Sequence, residues 1–79
     1  VCAADQLADE VNALARQLAD AATQAIGTVK KQLLVSFGNS PETQMALEGK
    51  AIAHLAACRD GQEGIHAFLH KRRPVFIGK

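Results

Sequence analysis

Near the C-terminus, a short amphipathic segment is followed by a proline and an apolar tail, in the sequence Asp60-Gly61-Gln62-Glu63-Gly64-Ile65-His66-Ala67-Phe68-Leu69-His70-Lys71-Arg72-Arg73-Pro74-Val75-Phe76-Ile77-Gly78. Asp60 and Glu63 have the spacing of a capping box at the start of a helix. Capping therefore accounts for both carboxylates better than acid–base catalysis does. We predict a short helix over residues 61–72, because Pro74 prevents its continuation. Residues 75–77 then form an extended apolar tail.

The clearest break upstream of this segment is Gly38-Asn39-Ser40-Pro41. Gly38 is expected to end a helix in the left-handed conformation that glycine adopts readily. Ser40 is a preferred N-cap residue, and the proline after it suits the first helical position, where no N–H is needed. We therefore predict a third helix over residues 41–58.

Two earlier runs of apolar residues repeat every three or four positions, which is the spacing of one helix face. They are Leu7, Val11, Leu14 and Leu18 in the first run, and Ile26, Val29, Leu33 and Phe37 in the second. They predict helices over residues 5–22 and 23–37, with Asp20 or Thr23 as the cap of the second. The predicted fold class is therefore all-α, with three longer helices, one short C-terminal helix and an extended tail.

The composition limits what such a chain can do alone. It has 79 residues, of which 48% are hydrophobic, but no Trp or Tyr, so each helix buries little area. We expect part of the apolar surface to require a partner. The net charge of +1 creates no field that favours nucleic acid, and no segment has the apolar length of a membrane span. Neither nucleic acid nor membrane is predicted as a partner.

The cysteines and the first residues indicate a reducing compartment and a chain cut from a longer one. Cys2 and Cys58, without an accompanying signal peptide, suit free thiols in the cytoplasm or an organelle matrix. The chain begins with Val1 rather than methionine, and its first residues read like the end of an earlier element. We therefore expect a fragment that begins at a structural boundary.

The histidines and the second cysteine are candidates for chemistry. His66 and His70 follow Glu63 at a spacing that could direct three ligands toward one metal ion. A solvent-facing polar stripe explains them more simply, because no further ligand completes the set, and no metal site is assigned. His54 lacks the positioned partner of a catalytic base and is interpreted as partly buried and hydrogen-bonded. No nucleophile motif surrounds Cys58, so no catalytic residue is assigned.

Phe68 and Lys71 form a candidate ligand site. They lie three positions apart, on adjacent turns of one face of the predicted helix. An aromatic ring beside a cation suits a purine that carries phosphates. The spacing alone favours a simpler alternative, in which Phe68 is a core residue and Lys71 is solvated.

The C-terminal stretch closely resembles the end of enoyl-CoA hydratase/isomerase (crotonase) family proteins. The shared pattern is Asp60, two residues, Glu63-Gly64, the aliphatic Ile65, then Ala67-Phe68, two residues, Lys71-Arg72, and shortly after Pro74, Phe76 and Gly78. Lys30 with Leu33, and more loosely Leu47-Glu48, are similar to earlier family segments. The chain departs from the family at Ala22, where Pro is frequent, and at His70, where Glu is frequent.

The resemblance implies a fold that this chain holds only in part. The family has a spiral core of repeated ββα units, followed by a C-terminal helical region that packs at the subunit interfaces of a trimer or hexamer. The core supplies an oxyanion hole and the acidic groups for proton transfer, and this chain lacks it. Residues 1–79 would then be the C-terminal helical oligomerisation segment of a crotonase-like protein.

The resemblance also implies a ligand. Residues at the positions of Phe68 and Lys71 in similar enzymes contact the adenine and phosphate region of CoA, which belongs to the acyl-CoA substrate and is not covalently bound. The expected function is subunit assembly and partial closure of the CoA site in an enoyl-CoA hydratase or isomerase. Its partners would be the catalytic core, neighbouring subunits and acyl-CoA. The segment alone is not expected to be an enzyme, and the alternative is a free-standing helical protein-interaction module.

Overall fold

The computed structural model describes all 79 residues, Val1–Lys79, and is all-helical without strands. A helical turn at Ala4–Gln6 leads into α1 (Leu7–Ala19), α2 (Thr23–Ser36), α3 (Pro41–Ala57) and α4 (Arg59–Leu69). Residues 73–79 have no regular structure. The predicted all-α class, with three longer helices and one short one, is confirmed. Every helix end lies within three residues of its predicted position.

Local capping explains where α3 begins. The backbone N–H of Thr43 donates to Oγ of Ser40 at 3.2 Å, and Pro41 occupies the first turn. The predicted serine cap is therefore confirmed. It satisfies one of the N–H groups that have no carbonyl partner at a helix start.

The two ends of α2 differ from the prediction. The N-cap position is Ala22, with no side-chain hydrogen bond, so neither Asp20 nor Thr23 caps this helix. Gly38 does not have a positive φ. Its N–H donates to the carbonyl of Val35 at 3.1 Å, so an ordinary backbone turn ends α2 and no left-handed residue is needed there.

Helices α3 and α4 meet at a single residue, Cys58, which ends one helix and caps the next. Its thiol donates to the carbonyl of Leu55 at 2.9 Å, and its sulfur accepts the N–H of Gly61 at 3.4 Å. Asp60 is the second residue of α4, so the predicted capping role of Asp60 and Glu63 is wrong. Because no linker separates the helices, the cysteine sulfur takes the place of a capping oxygen.

The helices form an open arrangement with almost no interior. Helix α2 packs against α3, and α3 against α4, whereas α1 contacts mainly the helical turn before it. Only Asp60 and Ala67 are buried. The accessible surface is 6647 Å², against about 4,600 Å² for a folded monomer of this mass. The radius of gyration is 15.9 Å, against about 12 Å for a compact chain of this length. The chain alone therefore has no ordinary hydrophobic core.

The apolar stripe of α1 is the clearest uncovered surface. Its members expose between 47% and 56% of their area, and they are Leu7, Val11, Leu14 and Leu18. Their spacing is that of a helix face that packs against another element. This face of α1 is therefore uncovered in the chain.

Candidate functional site

The C-terminal tail runs back along α4 and is held there by Asp60. The carboxylate of Asp60 accepts the backbone N–H of Ile77 at 2.8 Å and that of Gly78 at 2.7 Å. Its own N–H donates to the carbonyl of Lys79 at 2.8 Å. A buried carboxylate needs such donors. The role of Asp60 is therefore to anchor the tail.

Glu63, one turn further along α4, anchors the beginning of the same tail. Its two oxygens accept hydrogen bonds from both terminal nitrogens of the Arg72 guanidinium, at 2.7 and 2.8 Å. One of them also accepts the backbone N–H of Val75 at 2.9 Å. The hydrogen bonds from the Arg72 side chain, and then from the Val75 backbone, lower the pKa of Glu63 to about 2. The same contact raises the pKa of Arg72. Glu63 is therefore ionised, and its carboxylate holds the start of the tail against α4.

The end of α4 has the hydrogen bonds of a Schellman motif, in which the chain reverses through one left-handed residue. The N–H of Arg72 donates to the carbonyl of Ala67 at 3.0 Å, and that of Lys71 to the carbonyl of Phe68 at 3.2 Å. Lys71 has a φ of 53° and is the only non-glycine residue with positive φ. Glycine is usual at this position because a Cβ is disfavoured there.

The structure changes the predicted relation between Phe68 and Lys71. Helix α4 ends at Leu69, so Lys71 lies in the turn after the helix and not on the next turn of the same face. Phe68 exposes 82% of its surface, so it is not a core residue in this chain. Neither residue lines a cavity. Any ligand contact here occurs on an open surface at the end of α4.

The two histidines of α4 interact with each other. Their rings stack with centroids 4.1 Å apart, and Nδ1 of His70 lies 2.8 Å from the carbonyl oxygen of His66. Nη2 of Arg72 lies 3.1 Å from Nδ1 of His66. Glu63 is already occupied by Arg72 and Val75, and no three His, Cys, Asp or Glu side chains are placed to hold a metal ion.

His54 and the two cysteines lie apart from this cluster. His54 is exposed and has no side-chain hydrogen bond, so the predicted partly buried, hydrogen-bonded histidine is wrong. The reason is that α2 and α3 leave only a shallow polar groove beside it. Cys2 is exposed, Cys58 is half-buried, and both are free thiols, as predicted.

The sequence does not predict the roles of Arg72 and Cys58. Arg72 joins α4 to the tail through Glu63, a contact that helical spacing does not indicate, because it depends on the reversal of the chain at Lys71. Cys58 acts as a helix cap, for which sequence carries little signal, because sulfur is a weak acceptor.

No helix combines the length and the apolar character needed to cross a bilayer.

The geometry defines an all-helical segment whose acidic groups anchor its own tail and whose apolar faces lie open. A family model described as enoyl-CoA hydratase/isomerase matches residues 1–79. The chain belongs to the enoyl-CoA hydratase/isomerase family.

Three relatives illustrate the extent of the match. The chain is 37% identical over 75 residues to 1,2-epoxyphenylacetyl-CoA isomerase of Escherichia coli, covering 95% of the chain and 29% of the relative. It is 33% identical over 72 residues to the mitochondrial enoyl-CoA hydratase domain-containing protein 3 of Danio rerio, covering 91% and 25%. It is 37% identical over 67 residues to a probable enoyl-CoA hydratase of Rhodobacter capsulatus, covering 85% and 26%. The chain thus spans about a quarter of the length of these relatives.

Proposed function

We propose that this chain is the C-terminal segment of an acyl-CoA-processing enzyme, which is a hydratase or an isomerase. In this proposal the segment contributes to subunit assembly and forms part of the CoA site. Family membership over residues 1–79 supports the proposal, as does the short share of each relative that the chain spans. The short share of each relative also favours this function over that of a free-standing helical interaction module. The catalytic groups then lie in the rest of the protein, in the cytoplasm or an organelle matrix.

The assembly role is supported by the open surface. The chain exposes apolar residues along α1 and across the other helices, and a stable protein does not leave this much apolar area in water. The catalytic core and neighbouring subunits of a trimer or hexamer would cover it. Covering these faces would supply the hydrophobic burial that the 79 residues lack by themselves.

The CoA role is carried by the backbone conformation of Lys71. A non-glycine residue in the left-handed region costs roughly 1–2 kcal/mol, and this position in a helix-ending turn is one that glycine fills without cost. A lysine there indicates that its side chain is needed, and strained residues of this kind cluster at ligand sites. We assign its ammonium to a phosphate of CoA, and the exposed ring of Phe68 to the adenine.

The test is Lys71→Gly in the complete enzyme. Glycine relieves the backbone strain, so stability should rise by about 0.5–1 kcal/mol, while loss of the charged contact weakens CoA affinity about tenfold or more. Thermal melting and calorimetric CoA titration measure the two effects. Lys71→Arg, which keeps the charge, should retain most of the affinity. Unchanged affinity in Lys71→Gly would rule out the phosphate contact.

A further inference from the structure

We infer that Glu63 is a positioning residue for Lys71, a role that rests on the proposed contact between Lys71 and CoA. Glu63 has no part in the proposed CoA contact itself. Its carboxylate is occupied by the Arg72 guanidinium and the Val75 N–H. It acts on Lys71 through the segment that directly follows that lysine.

The left-handed conformation of Lys71 needs support on both sides. On the helix side, its N–H is bound to the carbonyl of Phe68. On the tail side, the backbone N–H of Arg72 donates to the carbonyl of the buried Ala67. Its guanidinium donates two short hydrogen bonds to Glu63 and makes one longer contact with His66. A strained backbone conformation persists only where its surroundings fix it in this way.

The anchor at Asp60 cannot replace the one at Glu63. Asp60 accepts hydrogen bonds from the N–H groups of Ile77 and Gly78, which lie six and seven residues beyond Lys71. Between these anchors, the tail has the freedom of several backbone dihedrals. Without the Glu63 carboxylate, Arg72 and Val75 lose three hydrogen bonds, and Lys71 relaxes toward the helical or extended region that its Cβ prefers. Its ammonium then leaves the phosphate position.

The test is Glu63→Gln in the complete enzyme, assayed with an acyl-CoA substrate. Glutamine keeps the size of the side chain but removes the charge and the paired acceptor geometry. KM should rise roughly three- to tenfold, while kcat stays within about twofold, because Lys71 binds the ligand remote from the reacting bond. Arg72→Lys, which keeps the charge but loses the two-pronged contact, should act in the same direction. Glu42→Gln removes one exposed negative charge from α3 and should change neither parameter.

A double variant separates positioning from a general loss of stability. Glycine at position 71 needs no support for its conformation, so Glu63→Gln added to Lys71→Gly should raise KM no further. If Glu63→Gln raises KM equally in the parent protein and in the Lys71→Gly variant, the inference is overturned. An unchanged KM in Glu63→Gln alone would overturn it too. If Glu63→Gln does not fold, Arg72→Lys decides by the same criteria. An unchanged KM in Lys71→Gly would instead refute the proposed CoA contact itself.

Discussion

A Gly61→Ala variant is expected to lower the free energy of unfolding by about 3 kcal/mol or more. The added Cβ would overlap the carbonyl oxygen of Leu55 and lie 2.9 Å from its carbonyl carbon. Both are backbone atoms of α3, so no side chain can move aside. The same carbonyl accepts hydrogen bonds from the backbone and thiol of Cys58. Relief therefore requires opening the corner at which α3 and α4 meet.

Denaturant unfolding of the complete protein measures this effect. Gly27→Ala is the matched control, because a Cβ added there meets no atom within 4 Å. Alanine within a helix is favoured over glycine by up to about 1 kcal/mol, so this control should be neutral or stabilising. A Gly61→Ala protein whose stability stays within about 0.5 kcal/mol of the parent would show that the corner is not closed as described.

The second large effect is expected for Asp60→Asn. The substitution keeps the shape of the side chain but replaces one acceptor oxygen with an NH₂ group, which faces the N–H of Ile77 or of Gly78. A buried donor without its charged acceptor costs about 2–3 kcal/mol. The end of the tail should therefore detach from α4, and α4 itself should persist.

Hydrogen exchange at the amides of Ile77 and Gly78 reports this detachment directly. Their protection should fall roughly a hundredfold, the equivalent of the lost free energy. Asp9→Asn, on the exposed surface of α1, is the control and should leave both amides unchanged. Undiminished protection at both amides in Asp60→Asn would mean that the carboxylate does not anchor the tail.

The elements set by local interactions could be predicted from the sequence. Ser40 and Pro41 fix the start of α3 through contacts within one turn, and the apolar spacing of α1 requires only helical geometry. These signals need no knowledge of distant residues. Pro74 prevents a helix beyond residue 72, but α4 already ends at Leu69, because the chain reverses through Lys71.

The roles set by the returning tail could not be predicted. Asp60 and Glu63 have capping spacing, but their partners are amides 12 to 18 residues away, and periodicity carries no information on that contact. The direct junction of two helices at Cys58 moved the cap two residues upstream of its expected position. The spacing of Phe68 and Lys71 predicts a shared helix face, because it does not reveal that α4 ends between them.

The candidate ligand site at Phe68 and Lys71 rests on the family resemblance, because spacing alone favours a packed Phe68 and a solvated Lys71. Spacing favoured a core role for Phe68, yet its ring is mostly exposed. The structure adds the positive φ of Lys71, which supports the proposed role of its side chain. It also shows that Asp60 and Glu63 accept hydrogen bonds from the backbone of the tail.

The most direct test of the central claim is a CoA titration of the complete, isotope-labelled protein, followed through amide chemical shifts. We expect saturable shifts at Phe68, Lys71 and their neighbours at the end of α4, with few shifts along the solvent-facing side of α1. Saturation of CoA at its site with no shift at Phe68 or Lys71 would contradict the claim that this segment forms part of the nucleotide site.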